Sequence, residues 1–290
     1  MKKLFVIIAV FALFGLNARV TLGYLFLKPG LTAYGARANG MGGAFVAIAD
    51  DGFAPYYNPA GMTQLKTPMI TGDISLSEAS EENFRIYSGF GGVTTSSWAC
   101  NLYFDQKLGL EEPDEGTYYL VISEAAALSK SLSIGGNVKL SCDVSGKLDG
   151  DATVKGANIA IDLGGLLKPS DSTSYGVVVR NLSAPFRKMN GDTTYPWLTL
   201  GWAHKSSSTT YAADLDIIIY EWFPVPWPHF GIEEKIWDTV ALRIGLSGLP
   251  GYFTVNGGCG IKIFGVNADI AYILQPGKYS EVEFSTSYRF

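Results

Sequence analysis

The chain after residue 66 alternates between apolar and polar residues at nearly every step. At the C-terminus the apolar positions Val282, Phe284 and Tyr288 alternate with the polar positions Glu283 and Ser285. A period of two residues is typical of a β-strand whose two faces meet different surroundings. The same alternation recurs in the segments 98–105, 131–143, 240–247, 253–263 and 266–275. The pattern therefore predicts a protein built from many such strands.

The predicted strands are long. The alternating segments have about 9–13 residues, whereas strands of soluble proteins have ~5–6, and this length suits a tilted strand that crosses a bilayer. Including weaker segments, strands are predicted to start near residues 68, 83, 97, 116, 131, 153, 173, 195, 209, 229, 239, 252, 266 and 280. Bacterial single-chain barrels have even strand numbers, which leaves twelve as the alternative to fourteen. The predicted fold class is all-β: a transmembrane antiparallel β-barrel formed by residues 67–290.

Long and short connections alternate between the predicted strands. The short ones include 127–130, 206–208 and 237–238, and the long ones are 106–115, 144–152, 183–194 and 221–228. Outer-membrane barrels have short periplasmic turns and longer outer loops, so both termini are predicted to be periplasmic. The segment 221–228 contains three prolines, which a central strand excludes. It is predicted to be an outer loop.

Residues 1–23 have the build of a secretory signal peptide. Two lysines are followed by about 13 apolar residues and then by small residues. The apolar run is shorter than the ~20 residues of a spanning helix, and a buried N-terminal helix is the alternative. Cleavage is expected after Gly23, with Ala18 as the other candidate. An exported chain with 47% hydrophobic and only 17% charged residues favours the bacterial outer membrane, with lipid around the barrel.

The charge of the chain argues against nucleic acid as a partner. The formal net charge is −5, and residues 1–23 carry three basic residues and no acid, which leaves −5 − 3 = −8 for the remainder. A mildly acidic protein without a cluster of Lys and Arg does not bind backbone phosphates well. No nucleic-acid partner is expected.

Sequence signatures of cofactors and catalysis are weak. The glycines at 35–42 lack the Lys and Ser/Thr of a phosphate-binding loop. The three cysteines are far apart, and His204 and His229 are the only histidines, so no metal ligand set is predicted. No cofactor is expected and the chain is predicted not to be an enzyme. A barrel hydrolase that uses one of the histidines is the weaker alternative.

Residues 24–66 do not alternate and are rich in small residues. Glycine and alanine let a chain pack tightly in a confined space. Because the segment precedes the first predicted strand, it is predicted to be a hatch that lies in the lumen of the barrel.

Two motifs in this segment carry a resemblance to a known family. The run Gly-Ala-Arg-Ala-Asn-Gly-Met-Gly-Gly-Ala-Phe-Val-Ala-Ile-Ala-Asp-Asp at 35–51 is followed by Asn-Pro-Ala-Gly at 58–61. Together they resemble the N-terminal signature of PorV-like barrels, relatives of the FadL long-chain fatty-acid transporters. The resemblance implies a fourteen-stranded barrel with a luminal hatch. Phe290 is similar to the C-terminal aromatic residue that the barrel-assembly machinery reads.

Candidate functional residues follow from the hatch and from polar positions of the strands. Charges enclosed in a barrel must be paired, and Arg37 is predicted to pair with Asp50, Asp51 or an acid of the wall. The candidate ligand or hatch residues are Arg37, Met41, Phe45, Val46, Ile48, Asp50, Asp51, Asn58, Pro59, Ala60 and Gly61. The candidate lumen charges are Lys139, Arg180, Asp214, Asp216, Arg243, Asp269 and Glu283.

Two functions are consistent with these features. The leading hypothesis is a FadL-type barrel that transports or binds small hydrophobic, fatty-acid-like molecules. The alternative is a PorV-like barrel that does not transport but acts in protein secretion, or as a structural or docking protein of the envelope. The expected partners are membrane lipid, the assembly machinery, a hydrophobic small molecule and, in the alternative, a secreted protein.

Overall fold

The computed structural model describes residues 34–79, 84–109, 115–145, 153–182, 187–189, 192–194, 196–220, 223–237 and 239–290. The predicted signal peptide 1–23 and residues 24–33 of the predicted hatch lie outside the described residues. The helices are α1 (Ala36–Gly40), α2 (Ala54–Tyr57) and a 3₁₀ helix (Pro59–Gln64). The strands are β1 (Met69–Ala79), β2 (Phe84–Thr94), β3 (Trp98–Gly109), β4 (Glu115–Ala127), β5 (Leu132–Ser145), β6 (Thr153–Leu167), β7 (Thr173–Arg180), β8 (Arg187–Met189), β9 (Asp192–Thr194), β10 (Trp197–Lys205), β11 (Thr209–Tyr220), β12 (Phe223–Ile236), β13 (Val240–Leu249), β14 (Tyr252–Ile263), β15 (Val266–Gln275) and β16 (Tyr279–Arg289).

Fourteen strands in the described part of the chain close into one antiparallel barrel. Each barrel strand pairs with the next one along the chain, with β7 pairing with β10. The ring closes between β1 and β16, from Met69 opposite Arg289 to Ala79 opposite Tyr279. Strands β8 and β9 form a separate hairpin. The prediction of an all-β barrel with about fourteen strands is confirmed.

The two faces of each strand meet different surroundings, as the alternation predicts. In β16 the side chains of Val282, Phe284 and Tyr288 are 47–49% exposed on the outside, whereas Glu283 and Ser285 are at most 1% exposed on the inside. Leu, Ile, Val and aromatic residues dominate the exposed positions around the barrel. An apolar outside matches the hydrocarbon of a bilayer, and pairing of the first strand with the last closes the ring.

The proline-rich segment belongs to a strand, and the prediction of a loop at 221–228 is wrong. Strand β12 begins at Phe223 and pairs with β11 along nearly its whole length. Its pairing with β13 begins only at His229, opposite Ser247. One edge of β12 therefore has no partner strand between 223 and 228. Because the three prolines occupy alternate positions, their nitrogens share one edge, and a free edge tolerates residues without an N–H.

The two ends of the barrel carry different turns. One end, called here the short-turn rim, carries the turns 95–97, 128–131, 168–172, 206–208, 237–239 and 264–265. At the opposite end, the strands that flank the longest connections end at Ser145 and Arg180 and resume at Thr153 and Trp197, and the turns 250–251 and 276–278 are short. The barrel chain starts and finishes at the short-turn rim, where Phe290 N donates to Pro68 O at 3.2 Å.

Residues 34–66 pack against the inside of the barrel wall. Pro55 lies in the first turn of α2, where a missing N–H costs no helical hydrogen bond. Asn58 ends α2 and begins the 3₁₀ helix, because its side chain accepts a hydrogen bond from Ala60 N. No helix in the described ranges combines the length and the apolar content needed to cross a membrane.

Candidate functional site

Charged side chains tie the hatch to the wall. Within the hatch, Arg37 Nη1 lies 2.6 Å from Asp50 Oδ1 and 3.1 Å from Asp51 Oδ2. The other side of the same guanidinium bonds Glu233 of β12, with Nε–Oε2 at 2.8 Å and Nη2–Oε1 at 3.0 Å. The predicted pairing of Arg37 is therefore confirmed, and it includes both the hatch acids and a wall acid.

The same chain of charges continues along the wall. Glu233 Oε2 also accepts from Arg243 Nε at 2.8 Å, and Arg243 Nη1 lies 2.7 Å from Asp269 Oδ1. Charges of alternating sign neutralise one another in an enclosed space, where an unpaired charge is costly. Glu233 was not among the predicted lumen charges because residues 231–235 alternate poorly. Glu233 lies four residues after His229, and residues an even number apart share a face of a strand. An inward His229 would therefore have placed Glu233 on the inner face.

Asp51 and Arg37 titrate outside their ordinary ranges. Burial raises the pKa of the Asp51 carboxyl to about 6, although Arg37 and the backbone N–H of Phe53 favour its ionised form. Burial alone would lower the pKa of Arg37, but Asp50 and Glu233 hold it well above its ordinary value. The guanidinium is therefore the permanent charge of this group, and Asp51 is the member that responds to mild acid.

Two further lumen acids bind the hatch backbone and side chains directly. Asp214 Oδ2 of β11 accepts hydrogen bonds from Phe45 N at 2.7 Å and Val46 N at 2.8 Å. Five strands further around the barrel, Glu283 Oε2 of β16 accepts from Asn39 Nδ2 at 2.6 Å. The predicted lumen charges thus include acids that position the hatch rather than face open space.

Asp216 and Lys139 have partners within the wall. Asp216 Oδ2 lies 3.1 Å from His229 Nε2, and His229 Nδ1 lies 2.7 Å from Gly42 O of the hatch. Lys139 Nζ lies 2.7 Å from Asp162 Oδ1. Asp162 was missed by the sequence analysis, although it lies at an inward position of β6. His229 therefore links a wall acid to the hatch backbone.

The motif at 58–61 fastens the hatch through one amide side chain. Asn58 Nδ2 donates to Val46 O and to Gly165 O of β6, both at 3.0 Å. Its Oδ1 accepts from Ala60 N at 3.1 Å. The four residues of the motif are all buried. An Asn at this position satisfies three backbone groups at once, which no apolar residue could do.

The hatch backbone rests directly on glycines of the wall. A Cβ added to Gly245 would lie 2.6 Å from Gly42 Cα, and one added to Gly231 would lie 2.6 Å from Met41 Cβ. Real Cβ atoms do not approach other atoms so closely, and only glycine permits this contact. The other wall glycines at which a Cβ would collide with the hatch are Gly135, Gly164, Gly176 and Gly201.

The apolar candidates of the signature lie at the interface between hatch and wall. Met41 and Phe45 have no exposed surface, and Val46 and Ile48 are 2% and 7% exposed. Three of them, Met41, Phe45 and Ile48, belong to the core cluster that also contains Ala203 of the wall. Their place in the fold is therefore packing between the two parts.

An aromatic cluster, which the sequence analysis missed, joins the hatch to β2 and β3. Tyr34 stacks on Tyr103 at 5.2 Å between ring centroids and meets Tyr56 edge-on at 5.0 Å. Phe90 stacks on Tyr103 at 4.9 Å and lies 4.7 Å from Phe53. Side-chain alternation alone could not reveal this cluster, because its members come from three separate parts of the chain.

Arg180 lies beside this cluster without a salt bridge to a described acid, although Asp162 and Asp216 are near enough to interact with its charge. Its Cζ lies 5.6 Å from the Tyr56 ring centroid and 5.4 Å from the Trp197 ring centroid. Its Nη2 donates to Tyr57 O. Within the described residues, Arg180 forms no salt bridge, and neither Arg180 Nε nor Trp197 Nε1 has a hydrogen-bond partner. Arg180 is only 8% exposed, and a buried guanidinium is normally paired. The site thus presents unused donors next to aromatic faces.

Solved structures with the same architecture include hydrocarbon channels and a FadL homologue. The structure of the CymD monoaromatic hydrocarbon channel has a TM-score of 0.69 and 14% identity, and the match covers 91% of this chain and 99% of that one. The Ralstonia pickettii toluene transporter TbuX has a TM-score of 0.67 and 12% identity, with 90% and 99% covered. A Pseudomonas aeruginosa FadL homologue has a TM-score of 0.61 and 11% identity, with 89% and 99% covered.

Sequence comparison adds no closer relationship. No protein-family model matches the chain, and no curated protein matches its sequence. The structural similarity extends over almost the whole length of both chains at very low identity. This chain therefore has the fold of the FadL-type outer-membrane barrels.

Proposed function

We propose that this protein is an outer-membrane barrel that takes up or holds small hydrophobic molecules carrying a polar end, as a fatty acid does. The observation that carries the proposal is Arg180, a buried and unpaired guanidinium next to an aromatic cluster. Aromatic side chains offer apolar surface to a hydrocarbon, and an unused guanidinium donor offers a charge-assisted hydrogen bond to its polar end.

The fold supports this proposal. CymD and TbuX, with which the chain shares its architecture, are described as a monoaromatic hydrocarbon channel and a toluene transporter. A hydrocarbon has no hydrogen-bond acceptor for a guanidinium, and an aromatic one offers only a π face of the kind that Tyr56 and Trp197 already present to Arg180. The unpaired Arg180 therefore favours an amphipathic ligand for this chain over a pure hydrocarbon.

Both termini are proposed to be periplasmic, with lipid around the barrel and the C-terminal Phe290 recognised by the assembly machinery. Short turns are typical of the periplasmic end of such barrels. The orientation is testable with Ser207→Cys, in the turn 206–208, in a background without the native cysteines. A membrane-impermeant maleimide should label it only after the outer membrane is permeabilised. Labelling of intact cells would contradict the orientation.

Ligand binding is testable by competition in lipid nanodiscs. A fluorescent fatty acid is bound first and displaced with palmitate, with hexadecanol, or with toluene. Palmitate and hexadecanol have the same hydrocarbon chain and differ in the polar end. The ratio of their inhibition constants therefore reports the contribution of the carboxylate to binding. We expect palmitate to compete best.

The variant Arg180→Met keeps an unbranched apolar stem and removes the guanidinium with its charge. A hydrogen bond to a charged group contributes about 1.5–3 kcal/mol, so palmitate should bind about tenfold or more weakly to this variant. Hexadecanol should bind almost as before. Lys155→Met, at an exposed position near the same end of the barrel, is the matched control. Equal weakening of both competitors would refute the role of Arg180, and failure of all three to compete would refute the proposed function.

A further inference from the structure

Five basic residues form an incomplete ring at the short-turn rim, called here the basic rim. Four of them are at or next to the last residue of β10, β12, β14 and β16, and the fifth directly follows β6. In barrel order, these strands alternate with β7, β11, β13 and β15. The basic rim consists of Lys168, Lys205, Lys235, Lys262 and Arg289.

The positions of the basic rim are inward positions. Lys235 and Arg289 continue the inner faces that bury Glu233 and Ser287, since residues two apart share a face of a strand. Lys168 Nζ donates to Gln64 Oε1 of the hatch at 3.0 Å, so the side chain of Lys168 points into the barrel. The basic rim therefore surrounds the lumen at the short-turn end of the barrel.

No member of the basic rim has a salt-bridge partner among the described residues. Lys205 and Lys235 are close enough to repel each other, although Glu233 and Asp50 also attract Lys235. All members except Lys168 are exposed. Like charges held close together are unfavourable, and an acidic partner relieves their repulsion.

The geometry selects among anionic partners. Lipid headgroups surround the outside of a barrel, whereas these positions face its axis. The ring is also too wide for one small anion, because β6 and β16 lie on opposite sides of the barrel, eight strands apart in one direction and six in the other. We propose that the basic rim is a docking surface for an acidic segment of a soluble protein that approaches the barrel along its axis. This inference does not rest on the proposed ligand.

The test uses a fluorescein-labelled polyglutamate peptide and the full chain in nanodiscs of zwitterionic lipid. Binding is measured by fluorescence anisotropy at low and at high salt. We expect binding at low salt and its loss at high salt, because exposed charges are screened. The double variant Lys205→Glu/Lys235→Glu should bind the peptide about tenfold more weakly or worse, since each change turns an attraction into a repulsion.

The control is the double variant Lys155→Glu/Lys278→Glu, which makes the same charge change at the opposite end of the barrel. We expect it to bind the peptide as the unmodified chain does. A peptide with a photoreactive group should cross-link to the turns 206–208 and 237–239. Equal loss in both double variants, or cross-links at the opposite end, would overturn the proposal.

Lipid is the competing occupant, and native mass spectrometry distinguishes it. If the unmodified chain ignores the peptide but retains phosphatidylglycerol that Lys205→Glu/Lys235→Glu loses, the occupant is a lipid headgroup and the proposal is overturned. Retention of the unheated gel mobility by both double variants establishes that their barrels are folded.

Discussion

The substitution Gly245→Ala tests whether the hatch is seated by backbone contact with the wall. An added Cβ would lie 2.6 Å from Gly42 Cα and closer still to backbone atoms of the same peptide unit. No side-chain rotation relieves a collision with backbone. A Cβ added at Gly257, on the neighbouring strand, would meet no atom within 4 Å. Gly257→Ala therefore adds the same methyl group without the collision.

The cost of Gly245→Ala follows from the geometry. Carbon atoms in contact are about 3.5–4.0 Å apart, so the hatch has to move by about 1 Å. The hydrogen bond from His229 to Gly42 O, now 2.7 Å long, would be stretched beyond its useful range. Overpacking costs about 1–3 kcal/mol and a lost hydrogen bond about 1 kcal/mol. We expect the hatch to lose about 2–4 kcal/mol of stability, which raises its open population by ~30-fold or more.

Limited proteolysis of the hatch in detergent measures this population when opening and closing are fast relative to cleavage. Cleavage within residues 34–66 should be ~30-fold faster or more in Gly245→Ala, like the open population, and should be unchanged in Gly257→Ala. The mobility of unheated protein on a gel reports whether the barrel itself is intact. Equal cleavage rates in Gly245→Ala and the unmodified chain would refute the reasoning, as would equal acceleration by both substitutions.

Three other changes address the ion pairs and the proline-rich strand. Glu233→Gln leaves Arg37 and the buried Arg243 without their shared acid and should cost the hatch about 3–5 kcal/mol, measured by the same proteolysis. Glu234→Gln, on the outer face of the same strand, should leave the cleavage rate unchanged; equal rates in the two variants would contradict this. Asp51 has its pKa raised from 3.8 to about 6, so its contribution of about 3 kcal/mol is present below about pH 4 and lost as the pH rises through about 6. Asp51→Asn should flatten the pH dependence of hatch cleavage in that window, and an unchanged profile would argue against the assignment. Pro226→Thr supplies an N–H to the free edge of β12 and should promote self-association detected by cross-linking; a variant that stays monomeric would show that the edge is blocked by other means.

The barrel was predictable because one physical constraint acts on every strand. Each barrel strand except β12 begins within about two residues of its predicted start, since the inner and outer faces impose opposite polarity at each step. β12 was predicted to start near residue 229 and starts at Phe223. The exclusion of proline applies to a strand with neighbours on both sides, and the sequence does not show that β13 stops before reaching 223–228.

The site was predictable only where its parts are close in sequence or defined by a motif. Arg37 and Asp50 are thirteen residues apart on one hatch, and their pairing follows from the need to neutralise an enclosed charge. Tyr56 and Trp197 meet around Arg180 because the register of β7 with β10 places Trp197 opposite Arg180. That register depends on the closure of the whole barrel, and no local pattern encodes it.

Anchoring and binding are separated along the barrel axis. The ion chain through Arg37 and Glu233 lies near the short-turn rim, whereas Arg180 is the last residue of β7, at the opposite end of that strand. Paired charges hold a geometry, and breaking one buried pair costs about 3–5 kcal/mol. A molecule that enters the barrel therefore meets least resistance beside Arg180, where α2 meets the wall through hydrogen bonds from Asn137 and Arg180 and through ring contacts, without a salt bridge. Movement that admits a ligand is expected at residues 53–57 around Arg180, while the ion chain keeps the rest of the hatch in place.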